Sequence, residues 1–222
     1  MRTRAIVLLA ALAGACASPP PVPPWQSDAF EALEAYRTHY LAGESKLAER
    51  DYAAARAAIG STGRLELAAR IELIRCALAT AALDFDKCAG LDAALADAGA
   101  EERAYGAFLA GRWQGIDGRA LAPAYRGVAA AGSAEAQNRA LRAIEDPVSR
   151  LVAGGTLLRQ ARISPEGVAA SVEAASAEGL RRPLLAWLKV QEKLAESAGD
   201  AAALALIRRR IALVEGAKPH AR

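Results

Sequence analysis

The chain has 222 residues, 58 of them alanine, with aromatic residues at 5% and charged residues at 24%. Alanine and leucine form helices readily, and the β-branched and aromatic residues that fill sheets are scarce, so the composition points to an all-α fold. The charge content and a mean hydropathy of +0.10 exclude both a disordered chain and a multi-span membrane protein.

The N-terminus reads as a leader. Met1-Arg-Thr-Arg4 is basic, and Ala5–Ala13 is an apolar run of nine residues. At ~1.5 Å per residue such a run reaches about half of a ~30 Å hydrocarbon core, so it is an export signal and not an anchor helix. It closes on Ala13-Gly14-Ala15-Cys16. Small residues before a cysteine at this place resemble the bacterial lipobox, with Ala13 standing where that pattern most often has Leu. The resemblance implies removal of residues 1–15, a diacylglyceryl group on the Cys16 thiol and acylation of the new amine. Several acyl chains on one residue make a lasting anchor, each buried methylene adding ~0.8 kcal/mol. Ala17 in second position implies sorting to the outer membrane, on the leaflet facing the periplasm. The competing reading is ordinary cleavage after Ala13-Gly14-Ala15, which would release a soluble periplasmic protein.

Residues 16–25 form a proline-rich tether, Ser18-Pro-Pro-Pro-Val-Pro-Pro24 being its core. In polyproline II geometry, at ~3.1 Å per residue, it would stand the folded part some 25 Å from the bilayer. Losing Arg2 and Arg4 with the leader lowers the formal charge from +3 to +1. A nearly neutral chain implies no nucleic-acid partner.

From residue 26 to 216 helical punctuation recurs. Gln26–Arg50 is expected as one helix, with Ser27 as N-cap and Phe30, Leu33, Tyr36, Tyr40, Leu41 and Leu47 along one apolar stripe. A short helix over Asp51–Ile59 follows, then Arg64–Leu83, which carries no charge from Cys76 onward and so predicts burial on nearly every side. Further helices are expected over Gly90–Asp97, Ala100–Trp113, Arg119–Ala131, Ala134–Ile144, Val148–Ile163, Pro165–Ala177, Pro183–Ser197 and Ala201–Val214. Gly99, Gly132, Gly179 and Gly199 occupy places suited to helix C-terminal glycines, and Ser164-Pro165 is a helix start. Residues 217–222 form a tail.

With Cys16 acylated, Cys76 and Cys88 remain as an even pair in an oxidising compartment. A bridge between them is worth ~3 kcal/mol in the chain-entropy account. It requires their Cα atoms within ~7 Å, although Cys76 lies about two turns above the expected corner. Two separate buried thiols are the alternative.

Self-similarity points to repeats. His39–Ile59, with Gly43, Asp51-Tyr52, Ala55 and Ile59, resembles a tetratricopeptide repeat. Ala122–Gln137, with Tyr125, Gly132 and Ala136-Gln137, resembles the Sel-one-like repeat, and Val172–Leu188 echoes it through Gly179 and Trp187. The resemblance implies antiparallel helix pairs stacked as a short α-solenoid, whose concave side holds a protein or peptide partner.

Sites for chemistry are sparse. His39 and His220 lack a companion at ligand spacing, so no metal is expected, and no cofactor or small-molecule substrate is implied. The Glu101-Glu102 and Asp84/Asp86 pairs read as a helix start and a turn rather than glycosidase carboxylates. Gly154-Gly155 reads as close helix packing or a kink, and Arg208–Arg210 and Arg181-Arg182 as solvated faces. The expectation is a non-catalytic, lipid-anchored envelope scaffold. A cell-wall enzyme with an unrecognised site, or a structural spacer, is the alternative.

Overall fold

The computed structural model describes residues 22–217, and all their regular structure is helical. Residues 1–15, Cys16, most of the tether and His220 lie outside the described residues. The α-helices are α1 Pro24–Ala42, α2 Ser45–Gly60, α3 Leu65–Ala81, α4 Leu91–Ala94, α5 Ala100–Leu109, α6 Pro123–Ala130, α7 Ala134–Arg142, α8 Pro147–Arg159, α9 Pro165–Ala177, α10 Arg181–Ala198 and α11 Ala201–Gly216. Short 3-10 turns stand at Phe85–Cys88 and Gly118–Ala120.

Most expected helices are present, but the first is divided differently. Gln26–Arg50 is not one helix. The chain turns at Gly43, whose φ of +86° is left-handed, and the N–H groups of Gly43 and Glu44 bond back to the carbonyls of Tyr40 and His39. A residue without Cβ takes this backbone shape at little cost, and the turn closes the exposed carbonyls of α1. Asp51 and Tyr52 consequently lie in the middle of α2 rather than at the start of the second helix. Helix α1 also starts earlier than expected. Pro24 and Trp25 are helical, and Ser27 donates its hydroxyl to the Pro24 carbonyl instead of capping the helix. Of the expected stripe, Tyr36, Tyr40 and Leu41 are buried, whereas Phe30 is 67% exposed.

Helix pairs pack through α1 with α2, α6 with α7, α8 with α9, α9 with α10 and α10 with α11. Longer-range associations join these pairs, α3 with α8 and α1 with α10 among them. Residues 76–82, at the end of α3 and its cap, are buried, as the lack of charge from Cys76 to Leu83 predicted, while Leu83 itself is half-buried.

Gly154 and Gly155 are the point of closest approach. A methyl on Gly155 would run into the Thr80 carbonyl of α3, and one on Gly154 would meet the Ser171 hydroxyl and the Trp187 ring. Trp187 is fully buried, and its indole N–H donates to the Ala81 carbonyl at 3.0 Å.

Other turns depart from their sequence signals. Gly179 and Gly199 take left-handed φ as expected, but Gly99 is an extended residue before α5 and Gly132 has no positive φ. Leu83 (φ +60°) and Ala161 (φ +52°) take up that conformation without being glycine. Both cost local strain that the surrounding packing must offset. At the second turn, Asn138 of α7 donates to the Arg162 carbonyl at 2.8 Å and accepts from the Ser164 N–H at 2.8 Å, while Gln137 accepts from Arg162 Nε at 2.5 Å.

The glycine pair makes an internal comparison. Alanine at either position gains the same helix propensity, but only at Gly155 is the obstacle a backbone carbonyl that cannot swing aside. Gly155→Ala is expected to lose about 1–3 kcal/mol, more than Gly154→Ala, as measured by urea unfolding of both variants.

Candidate functional site

A groove of about 640 Å³ lies between α3, α5 and the start of α6. Its apolar floor comes from Leu73 and Ile74 of α3, Leu121 before α6, and the rings of Tyr105 and Tyr125. Tyr125 belongs to the Ala122–Gln137 window. Its ring stacks on Tyr105 with centroids 5.4 Å apart and planes 19° off parallel, and it leans on Phe108 at 4.8 Å. The two hydroxyls approach to 3.4 Å. Burial pushes both phenols above their ordinary pKa, so they remain protonated donors at neutral pH.

Charges sit at the lip. Arg70 Nε donates to Glu102 Oε1 at 2.7 Å. That hydrogen bond, aided by backbone N–H groups at the start of α5, holds the Glu102 carboxyl below the usual range. Opposite, Arg126 donates to the Leu121 carbonyl at 2.8 Å and the Arg119 carbonyl at 3.3 Å. An apolar floor with hydroxyl and guanidinium groups around it suits side chains of a bound segment. A glycosidic acid needs a carboxyl held protonated, and Glu102 is biased the other way. Glu101 is exposed on the same first turn of α5, where negative charge complements the helix dipole.

A second constellation was not legible in sequence. His39, in the last turn of α1, places Nδ1 2.5 Å from Asp51 Oδ2 and Nε2 3.6 Å from Glu44 Oε2. Asp51 also accepts from Arg50 at 2.9 and 3.1 Å. Burial raises the Asp51 pKa, but the His39 and Arg50 hydrogen bonds outweigh it, and the carboxyl stays below its ordinary value. The two carboxylates face opposite ring nitrogens of His39, so they cannot share one ion. Among the described residues no trio of His, Cys, Asp or Glu is placed to hold a metal. The cluster staples α1 to α2 across the Gly43 turn. The signal that could have found it is the twelve-residue separation of His39 and Asp51, which faces them only when the helix break falls at Gly43.

Cys76 and Cys88 come to disulfide-bonding distance, with Cα atoms 4.7 Å apart. The left-handed Leu83 turn and the Phe85–Cys88 turn fold the chain back along α3, which brings Cys88 up two helical turns to Cys76. Asp84 accepts weakly from the Tyr40 hydroxyl at 3.4 Å, while Asp86 is exposed.

The paired arginines differ from expectation. Arg181 donates to the Val214 and Glu215 carbonyls at 3.1 and 3.3 Å, closing the end of α11. Arg182 donates to the Tyr40 carbonyl at 2.6 Å and to Ser45 Oγ at 2.7 Å, with its guanidinium 4.3 Å from the centre of the Tyr40 ring. They are helix caps supplied from a distance, not a solvated face. Arg208 bonds Glu192 and Glu196 at 2.8 and 2.9 Å, and Arg209 beside it is exposed. No protein family, curated protein or solved structure matches the chain.

The Asp51 cluster has a definite pH signature. A carboxyl whose pKa is lower folded than unfolded adds stability above the unfolded value, near 3.9, and loses it as pH falls through the folded value. Asp51→Asn should therefore cost about 1–3 kcal/mol at pH 7. The gap between wild type and variant in urea unfolding should narrow from pH 5 to pH 3.

Proposed function

We propose that the chain is a lipid-anchored, non-catalytic envelope protein whose helical repeats hold a protein or peptide segment in the groove between α3, α5 and α6. The lipobox-like Ala13-Gly14-Ala15-Cys16 supports the anchor. The groove carries the binding reading: Leu73, Ile74 and Leu121 supply an apolar floor, stacked tyrosines an aromatic edge, and Arg70, Glu102 and Arg126 a charged lip. Aromatic and arginine groups around an apolar centre are what protein interfaces concentrate their binding energy on.

Helix pairs α6/α7 and α9/α10 are read as degenerate Sel-one-like units, the pairs on either side completing a short solenoid-like stack. Supporting this, Tyr125 faces the groove while Gln137 and Trp187 are buried at helix contacts. Partner binding on one side of such a stack leaves the buried faces free for packing.

Cys16→Ala is expected to move the protein from the membrane to the soluble fraction, and unchanged fractionation would count against the anchor. A photo-crosslinking residue at Ala124, in the groove wall, should capture one dominant envelope protein in intact cells. The same residue at the exposed Ala205 of α11 should not. Turnover of muropeptides by the purified domain would replace the scaffold reading with an enzymatic one.

A further inference from the structure

The Cys76–Cys88 bridge is chemically lopsided. Cys76 belongs to the buried stretch of α3 and is 1% exposed. Cys88 ends a single 3-10 turn, is half-buried, and with the less exposed Cys76 lines an open cleft of about 310 Å³. That volume is at the small end of the range for small-molecule sites. Two cations border it. Arg112 is paired, its Nη2 2.7 Å from Asp92 Oδ1. Arg159, at the end of α8, lies 5.5 Å from the centre of the Phe85 ring, and no carboxylate of the described residues stands within 4 Å of it. Asp86 is the remaining charge at the cleft.

We propose that this cleft is an exchange site for a small anionic thiol, in which Cys88 is the sulfur attacked and Arg159 receives the thiol's carboxylate. The thiolate attacks Cys88 Sγ, forming a new sulfur–sulfur bond as the Cys76–Cys88 bond breaks. Cys76 leaves with the electron pair and takes up one proton from water. The incoming thiol is oxidised to a mixed disulfide and Cys76 is reduced, so no further oxidant or reductant is needed. The Thr80 hydroxyl lies 4.0 Å from Cys76 Sγ and 3.8 Å from Cys88 Sγ, within reach to donate to the departing thiolate.

The reverse step is built in. Cys76 is fixed in α3 beside Cys88, so once deprotonated it can attack the mixed disulfide, restore the bridge and release the thiol. Burial keeps it from external reagents in the meantime. The pair thus divides into an accessible exchanging sulfur and a protected resolving one. Arg112 and Asp92 offset each other, which leaves Arg159 and Asp86 as the unpaired charges of the cleft, and of these Arg159 is the one that can pair with a carboxylate of the attacking thiol.

The test uses the full chain carrying Cys16→Ala, so that only the bridge cysteines remain. The folded, oxidised protein is exposed at low ionic strength to reduced glutathione, an anionic thiol, and to cysteamine, a cationic one, at matched thiolate concentration. Adducts are mapped by mass spectrometry after acid quenching. The expected result is a glutathione adduct on Cys88, formed about fivefold faster than the cysteamine adduct. Arg159→Gln, a change at an exposed residue, should abolish that preference while leaving the rate with neutral 2-mercaptoethanol unchanged. An adduct on Cys76, equal rates for the two charged thiols in the unsubstituted chain, or a bridge that opens only when the protein unfolds would each overturn the proposal.

Discussion

Because Gly155 has no side chain, α8 can lie directly on the Thr80 carbonyl of α3. The neighbouring Gly154 opens the same turn toward Ser171 of α9 and the ring of Trp187 of α10. One turn of α8 therefore meets three helices. At interior packing density such a junction has no slack, so the facing stretch of α3 must be small or apolar on every side. Residues 76–82 meet that demand. Trp187 fills the remaining volume and satisfies the Ala81 carbonyl, which would otherwise be a buried acceptor without a partner.

Polar groups then close the ends of the helices across long stretches of chain. Arg182 closes α1 and Arg181 closes α11, both from the first turn of α10. Asn138 and Gln137 hold the Ala161–Ile163 reversal between α8 and α9. His39 and Asp51 do the same for the Gly43 turn. Each of these polar groups is met by a partner of fixed position, which favours one arrangement of the helix pairs over alternatives of similar apolar burial.

Helix α3 is the spine shared by the surfaces with chemical character. Leu73 and Ile74 face the groove, and Cys76, next along the helix, faces the bridge and its cleft. Both surfaces have one wall on this buried helix and another on the turns at residues 85–90 or 119–122.

The all-helical class, the span of most helices, the burial of residues 76–82 and the role of Gly154-Gly155 were legible in the chain, because propensity, charge and helix-breaking residues act within a few positions of one another. Tyr125 was legible as a motif residue but not as part of a groove. The break at Gly43 was missed since Gly43 sits inside a run whose apolar spacing continues past it, and the left-handed Leu83 and Ala161 carry no mark of their conformation. Only the tertiary structure decided that His39 meets Asp51, that Arg181 and Arg182 are caps, that Cys88 returns to Cys76, and which residues line the groove. Those outcomes depend on contacts between segments remote in sequence, and their energy exists only after the helices have packed.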